Sequence, residues 1–270
     1  MSSDSSRLLA IVCAAAVQAC VAAATVGAGA APLRVCSDPN NMPFSNAKRQ
    51  GFENKIAELV AQDLGRPLAY FWSPQRRGFV RNTLAAERCD LMMGVAAGYQ
   101  GLQATRPYYR SSYAFVSRRD RHLRVRSFDD ERLQRLTIGI QITGDDYNNP
   151  PAAQALAARH LGANVRGYTV YGDYSKPDPQ RDIVHAVADG RIDLAVVWGP
   201  LAGYYARREA PPIDVVPVAD EARPGMAFAF DIAMGVRRED RMLREALDAI
   251  IVRRHAEIRR ILTSYGVPLL

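Results

Sequence analysis

Side chains able to do covalent or metal chemistry are scattered along this chain. His122, His160, His185 and His255 stand far apart and none adjoins a carboxylate pair, so each reads as structural or solvated. No G-x-S-x-G, H-E-x-x-H or P-loop word occurs. Asp145-Asp146 could suggest a metal, but two neighbouring acids in a turn without further oxygen ligands are weak. The residues that stand out are suited to holding rather than reacting. Trp198 ends an apolar run before Gly199-Pro200, fit either to face a cleft or to cap a strand as core. Trp72, beside Tyr70 and Phe71, reads about equally as a cleft platform and as core, since an aromatic strand is first of all core. Phe44 either closes over a guest or packs its own loop. Asp38 and Asn40 favour bonding their own turn. Arg76 and Arg77 either grip an anion or form surface ion pairs.

Two of the four cysteines, Cys13 and Cys20, fall in a segment of separate composition. Arg7 is the one positive charge before an uncharged, alanine-rich run from Leu8 to Ala31, which passes through Ala28-Gly29-Ala30, the small-x-small pattern of a cleavage site. We read residues 1–30 as a signal peptide and expect a periplasmic location with no stable membrane insertion after cleavage. A retained anchor is the alternative, since the run is long enough to span a bilayer. Lipid attachment at Cys20 fits poorly, because Gln18 precedes it and apolar residues follow. In an oxidising compartment the remaining pair, Cys36 and Cys89, is expected to form a disulfide; two buried, inert thiols are the alternative. No C-x-x-C spacing or histidine cluster accompanies them, so no metal is expected.

With 270 residues, 48% hydrophobic and 23% charged, the chain can bury one large core or two ordinary ones. The formal charge of +7 is nearly all arginine, the lysines being only Lys48, Lys55 and Lys176. No nucleic-acid-binding signature goes with it, so we read a solvated basic surface that suits an acidic protein partner.

Behind the candidate residues the elements repeat. The pattern predicts a strand over Leu33–Ser37, a helix over Asn54–Leu64, a strand over Leu68–Trp72, a helix over Gly78–Glu87 and a strand over Asp90–Val95. The same order returns as Leu136–Ile142, Ala152–Leu161, Val165–Tyr171, Asp182–Asp189 and Asp193–Trp198, and 57 residues separate both Leu33 from Asp90 and Leu136 from Asp193. This predicts an α/β fold of two doubly wound lobes, each with a parallel sheet, and an inter-lobe cleft at the C-terminal strand ends. Ala114–Ser117 and Phe228–Val236 would cross between the lobes as a hinge, and helices over Arg241–Arg254 and Ala256–Tyr265 would return to the first lobe. Lobe 1 is then 31–117 plus 231–270, and lobe 2 is 118–230.

Several words carry a family resemblance. Leu33-Arg34-Val35-Cys36-Ser37-Asp38-Pro39-Asn40-Asn41-Met42-Pro43-Phe44, Gly51-Phe52-Glu53 and Arg88-Cys89-Asp90-Leu91-Met92-Met93 resemble the family-3 (type II) solute-binding proteins of ABC importers. Pro74-Gln75-Arg76-Arg77-Gly78-Phe79, Thr105-Arg106-Pro107-Tyr108-Tyr109-Arg110-Ser111, Val197-Trp198-Gly199-Pro200-Leu201 and Asp231-Ile232-Ala233-Met234-Gly235-Val236-Arg237 are similar to the MxaJ/XoxJ-type proteins within that superfamily. The resemblance implies a type II periplasmic binding protein fold and association with a PQQ-dependent methanol or alcohol dehydrogenase. Where amino-acid binders place an arginine for the ligand carboxylate, this chain has Ala96-Ala97-Gly98-Tyr99-Gln100-Gly101. Where they place an aspartate for the ammonium, it has Trp198-Gly199-Pro200. Standard amino acids are therefore not expected to bind.

The resulting expectation is a non-enzymatic accessory protein acting through its cleft, with no cofactor of its own. Its partner would be a periplasmic PQQ-dependent dehydrogenase, with a c-type cytochrome or an ABC permease as further candidates. The alternative is an importer receptor for a small, weakly charged solute. The expected cleft comprises Asp38, Asn40, Phe44, Trp72, Arg77, Gly94, Val95, Ala96, Tyr108, Thr143, Gly144, Trp198, Gly199 and Pro200.

Overall fold

A computed structural model describes residues 30–142, 150–169, 174–219 and 226–270. The leader expected over residues 1–30 lies outside them except for its last residue, and Thr143 and Gly144 lie outside them entirely.

The chain begins with β1 (Leu33–Ser37), the short pair β2 (Asn40–Asn41) and β3 (Ser45–Asn46), α1 (Phe52–Asp63), β4 (Leu68–Trp72), α2 (Phe79–Asn82) and β5 (Leu91–Ala96). After β6 (Gln103–Ala104) and the long β7 (Tyr109–Arg118) come β8 (Ile138–Ile142), α3 (Pro151–Ala157), β9 (Val165–Thr169), α4 (Asp182–Ala188) and β10 (Leu194–Trp198). The remainder is α5 (Gly199–Ala206), β11 (Ile213–Pro217), β12 (Ala229–Val236), α6 (Arg241–Arg253) and α7 (His255–Ser264).

Both predicted β-α-β-α-β units form, and in each the first strand lies between the other two. The parallel order is β4-β1-β5 in one and β9-β8-β10 in the other. Strand β7 joins them. Its first residues, Tyr109–Ser112, pair antiparallel with β12, while Tyr113–Ser117 pair with β10 and the strand's later residues also pair with β11. Each half of the sheet is covered on both faces. Helices α1, α6 and α7 bury Phe52, Ile56, Leu247 and Ile258 against one face of the first half, and Phe79, Leu84 and the cysteines fill the other. Helices α4 and α5 cover one face of the second half and α3 the other. Side chains of this kind contribute about 1.5–3 kcal/mol each when fully buried.

Local chemistry fixes the ends of α1. The Asn54 side chain accepts from the Gly51 N–H at 3.1 Å, capping the start. At the far end Gly65 adopts φ +63°, and the Arg66 N–H reaches back to the Ala61 carbonyl at 3.0 Å. Two helices are shorter than predicted. The expected Gly78–Glu87 helix ends at Asn82, because buried Thr83 turns its hydroxyl onto the Phe79 carbonyl at 2.7 Å and leaves the helical conformation. The expected Ala152–Leu161 helix ends at Ala157, and His160 follows at φ +59°. Helix α5 and strand β11 were not foreseen. Cys36 and Cys89 are disulfide-bonded, with Cα atoms 5.4 Å apart.

Candidate functional site

A cleft of about 650 Å³ opens between the two halves of the sheet, within the usual range of ligand pockets. Its floor lies where the halves meet. Tyr113 of β7 and Trp198 of β10 are register partners, and Phe230 of β12 sits beside them. The three rings stand edge to face: Tyr113–Trp198 at 5.4 Å, Trp198–Phe230 at 5.9 Å and Tyr113–Phe230 at 6.4 Å between centroids. Tyr109 also lines the cleft. Gln141, at the end of β8, accepts from the Trp198 N–H at 3.2 Å and holds the strand end in place.

The wall from the first half is more polar. Asp38 accepts from the backbone N–H of Asn40 at 2.7 Å and of Gln75 at 2.6 Å, and the Tyr174 hydroxyl donates to it as well. The turn reading of Asp38 therefore accounts for one of these three bonds; the other two come from residues remote in sequence, and Asp38 also lines the cleft. Glu53, on the first turn of α1, points its carboxyl at Gly94. That glycine adopts φ +68°, and a Cβ there would collide with Glu53 Oε1. Burial, and then the negative charge of Asp38, push the Glu53 carboxyl up to about 8, so it stands protonated at neutral pH. Burial also pushes Tyr113 up to about 12 and, with Glu53 nearby, raises Tyr109.

Of the residues singled out from the sequence, Asp38, Phe44, Arg77, Gly94, Val95, Ala96 and Trp198 line this space. Five others stand elsewhere. Asn40 faces outward and donates to the Lys176 carbonyl at 3.0 Å, while its neighbour Asn41 lines the cleft. Trp72 stacks on Tyr70 at 4.5 Å on the edge strand β4. Tyr108 is buried against Tyr109, because alternate residues of a strand face opposite ways. Gly199 and Pro200 start α5 instead of rimming the opening. Gly199 lies so close to β7 that a Cβ would strike the Ser112 carbonyl, and Pro200 is buried in the first turn. Glu53, Tyr113, Gln141, Tyr174 and Phe230 were missed. Glu53 was visible only within Gly51-Phe52-Glu53, and Tyr113 and Phe230 lie on or beside segments read as connectors.

Among the described residues no three His, Cys, Asp or Glu side chains gather as a metal site, and no helix is long and apolar enough to cross a membrane. His185 does meet two carboxylates, Glu209 at 2.9 Å and Asp189 at 3.3 Å, outside the cleft.

No family model matches the sequence. Known proteins do. Protein MoxJ of Methylorubrum extorquens is 31% identical over 249 residues, 89% of this chain and 82% of that protein. The chain belongs to the MoxJ family. The crystal structure of the periplasmic binding protein XoxJ from Methylobacterium extorquens AM1 is 38% identical, with a TM-score of 0.72 over 88% of this chain and 99% of that one. That of MxaJ from Methlophaga aminisulfidivorans MPT is 25% identical, with a TM-score of 0.77 over 88% of this chain and 100% of that one. The family is the one the sequence words resembled, and the fold is the type II periplasmic binding protein fold. Membership supports the dehydrogenase-associated reading over the importer receptor.

Proposed function

We propose that the chain is exported to the periplasm and serves as a binding-fold accessory protein of a quinoprotein methanol or alcohol dehydrogenase system, engaging the dehydrogenase or a ligand through its cleft. Membership of the MoxJ family over most of its length carries this reading. An aromatic cleft floor in place of an amino-acid binder's charged anchors supports it. Lobe 1 would comprise 31–117 and 231–270, lobe 2 would comprise 118–230, and β7 and β12 would form the hinge. We read the cleft as binding without turnover: among the described residues, Asp38, the acid that shares the cleft with Glu53, is engaged by two backbone N–H groups and a tyrosine hydroxyl.

Deleting the gene should lower periplasmic dehydrogenase activity, and the tagged chain should capture the dehydrogenase from periplasmic extract. Trp198→Ala should weaken that capture by about 2 kcal/mol, roughly 30-fold, while secretion continues. Capture of permease subunits, with dehydrogenase activity unchanged in the deletion strain, would favour the importer reading instead.

A further inference from the structure

The cleft places its arginines on a wall and three of its rings on the floor. Trp198, Tyr113 and Phe230 form the aromatic floor, with the thioethers of Met92 and Met93 also lining the space. Arg76 and Arg81 line the wall at the turn into α2, and the Arg76 guanidinium lies 5.2 Å from the Tyr174 ring centroid. Among the described residues, two carboxyls share this space. Asp38 is bonded to Gln75, Asn40 and Tyr174, and Glu53 is neutral below about pH 8, burial being the larger cause and Asp38 the smaller. At neutral pH guanidiniums thus outnumber negative charges among the described lining residues, beside flat apolar faces.

We propose that the cleft is a binding site for planar aromatic carboxylates, the ring lying on the Trp198–Tyr113–Phe230 floor, the carboxylate reaching Arg76 and Arg81, and Glu53 setting the charge the anion meets. This rests on the reading of the chain as a cleft-binding protein and narrows the class of occupant. A guanidinium fork recognises a carboxylate through parallel, charge-assisted hydrogen bonds. Ring-on-ring contact adds about 0.5–1.5 kcal/mol beyond area burial. An aliphatic acid forfeits the second contribution and an aromatic amide the first. An amino acid brings an ammonium that finds Asp38 already engaged and Glu53 neutral.

The site carries its own pH dependence. Among the described residues, the titratable groups whose charge acts on Glu53 or feels it are Asp38 from the loop after β1, Tyr70 from β4, and Tyr108 and Tyr109 from the segment entering β7. Burial pushes Tyr70 up to about 12 and raises both other tyrosines well above their ordinary range. Between pH 7 and 9 Glu53 therefore gains a negative charge while these tyrosines stay neutral, and the anion is repelled.

Calorimetric titration of the exported chain with 2-naphthoate, 2-naphthamide and cyclohexanecarboxylate tests this directly. At pH 7 2-naphthoate should bind at least tenfold more tightly than either analogue, and its affinity should fall at least tenfold by pH 9. Arg76→Gln with Arg81→Gln should bring 2-naphthoate down to the level of the amide, and Glu53→Gln should flatten the pH profile. Should a variant fail to fold, the three probes and two pH values on the wild-type chain decide alone. Equal affinity for acid and amide, or a naphthoate affinity flat from pH 7 to 9, overturns the proposal. A chain that captures the dehydrogenase yet ignores 2-naphthoate refutes this site and leaves the accessory role standing. Naphthoate binding in a chain whose deletion spares the dehydrogenase does the reverse.

Discussion

In both β-α-β-α-β units the carboxylate just before the third strand accepts a backbone N–H from the start of the first strand or the residue just before it. Arg34 donates to Asp90 and Thr137 to Asp193, each pair 56 residues apart. What lies behind that shared bond differs. The first unit bridges Cys36 to Cys89. At the equivalent positions of the second, 103 residues on, stand Gly139 and Ile192, and a Cβ on Gly139 would come 2.5 Å from Ile192 Cδ1. One unit closes its core with a covalent bond, the other by laying an isoleucine over a glycine. The carboxylates differ too. Arg34, Arg237 and Arg66 reach Asp90 at 2.6, 3.5 and 3.6 Å, whereas Arg121 reaches Asp193 at 3.0 Å. Register and carboxylate are thus what the two units share, and the means of closing the gap behind them is open to variation.

The disulfide should make the largest difference. Cys36→Ala with Cys89→Ala should cost about 3 kcal/mol in urea unfolding, because the bridge closes a long loop in the unfolded chain. If the loss is below about 1 kcal/mol, the first unit is held as the second is, by packing alone. Next come the carboxylates: Asp90→Asn should cost about 2 kcal/mol and Asp193→Asn less than about 1 kcal/mol. Burial by itself would raise Asp90, but the bonds from Arg34 and the charge of Arg237 outweigh it and hold its carboxyl below the ordinary range. Its contribution is therefore present above the unfolded-state value of about 4 and is lost as the pH falls through the lower folded value. Unfolding curves from pH 6 down to pH 2 should converge for wild type and Asp90→Asn; parallel curves would remove the charge from the explanation. The smallest effect belongs to Gly139→Ala, about 1 kcal/mol, because the obstructing atom is the end of a flexible side chain. Adding Ile192→Val should recover part of it. A double mutant that is no better than the sum of the single changes would mean that the two residues are not coupled.

How much of this was legible in the sequence depended on where the signal lay. Leu33–Ser37 and Leu68–Trp72 form over their predicted spans, since a short apolar strand between turn residues announces itself locally. Helix α5 did not, because Leu201–Tyr205 is buried on every side and shows no helical period, and Gly199-Pro200 reads equally well as a turn. In the cleft, Trp198 was legible as the end of a buried strand. Glu53 was not. An acid in a helix's first turn ordinarily faces solvent and the helix dipole, whereas here the fold brings Gly94 of β5 against the Glu53 carboxyl.

Strand β7 is shared, and the point of sharing lies between Ser112, paired with Ala229, and Tyr113, paired with Trp198. The aromatic floor thus sits at the fulcrum of any rotation between the halves, where a given angle produces the least displacement. The walls lie away from that point and travel further, Arg76 and Arg81 on one side and Tyr174 on the other. A guest seated on the floor would keep its footing through the whole swing, while access to it is governed by a few polar contacts at the mouth. Under the proposed binding role, retention and admission would fall to different parts of the same cleft.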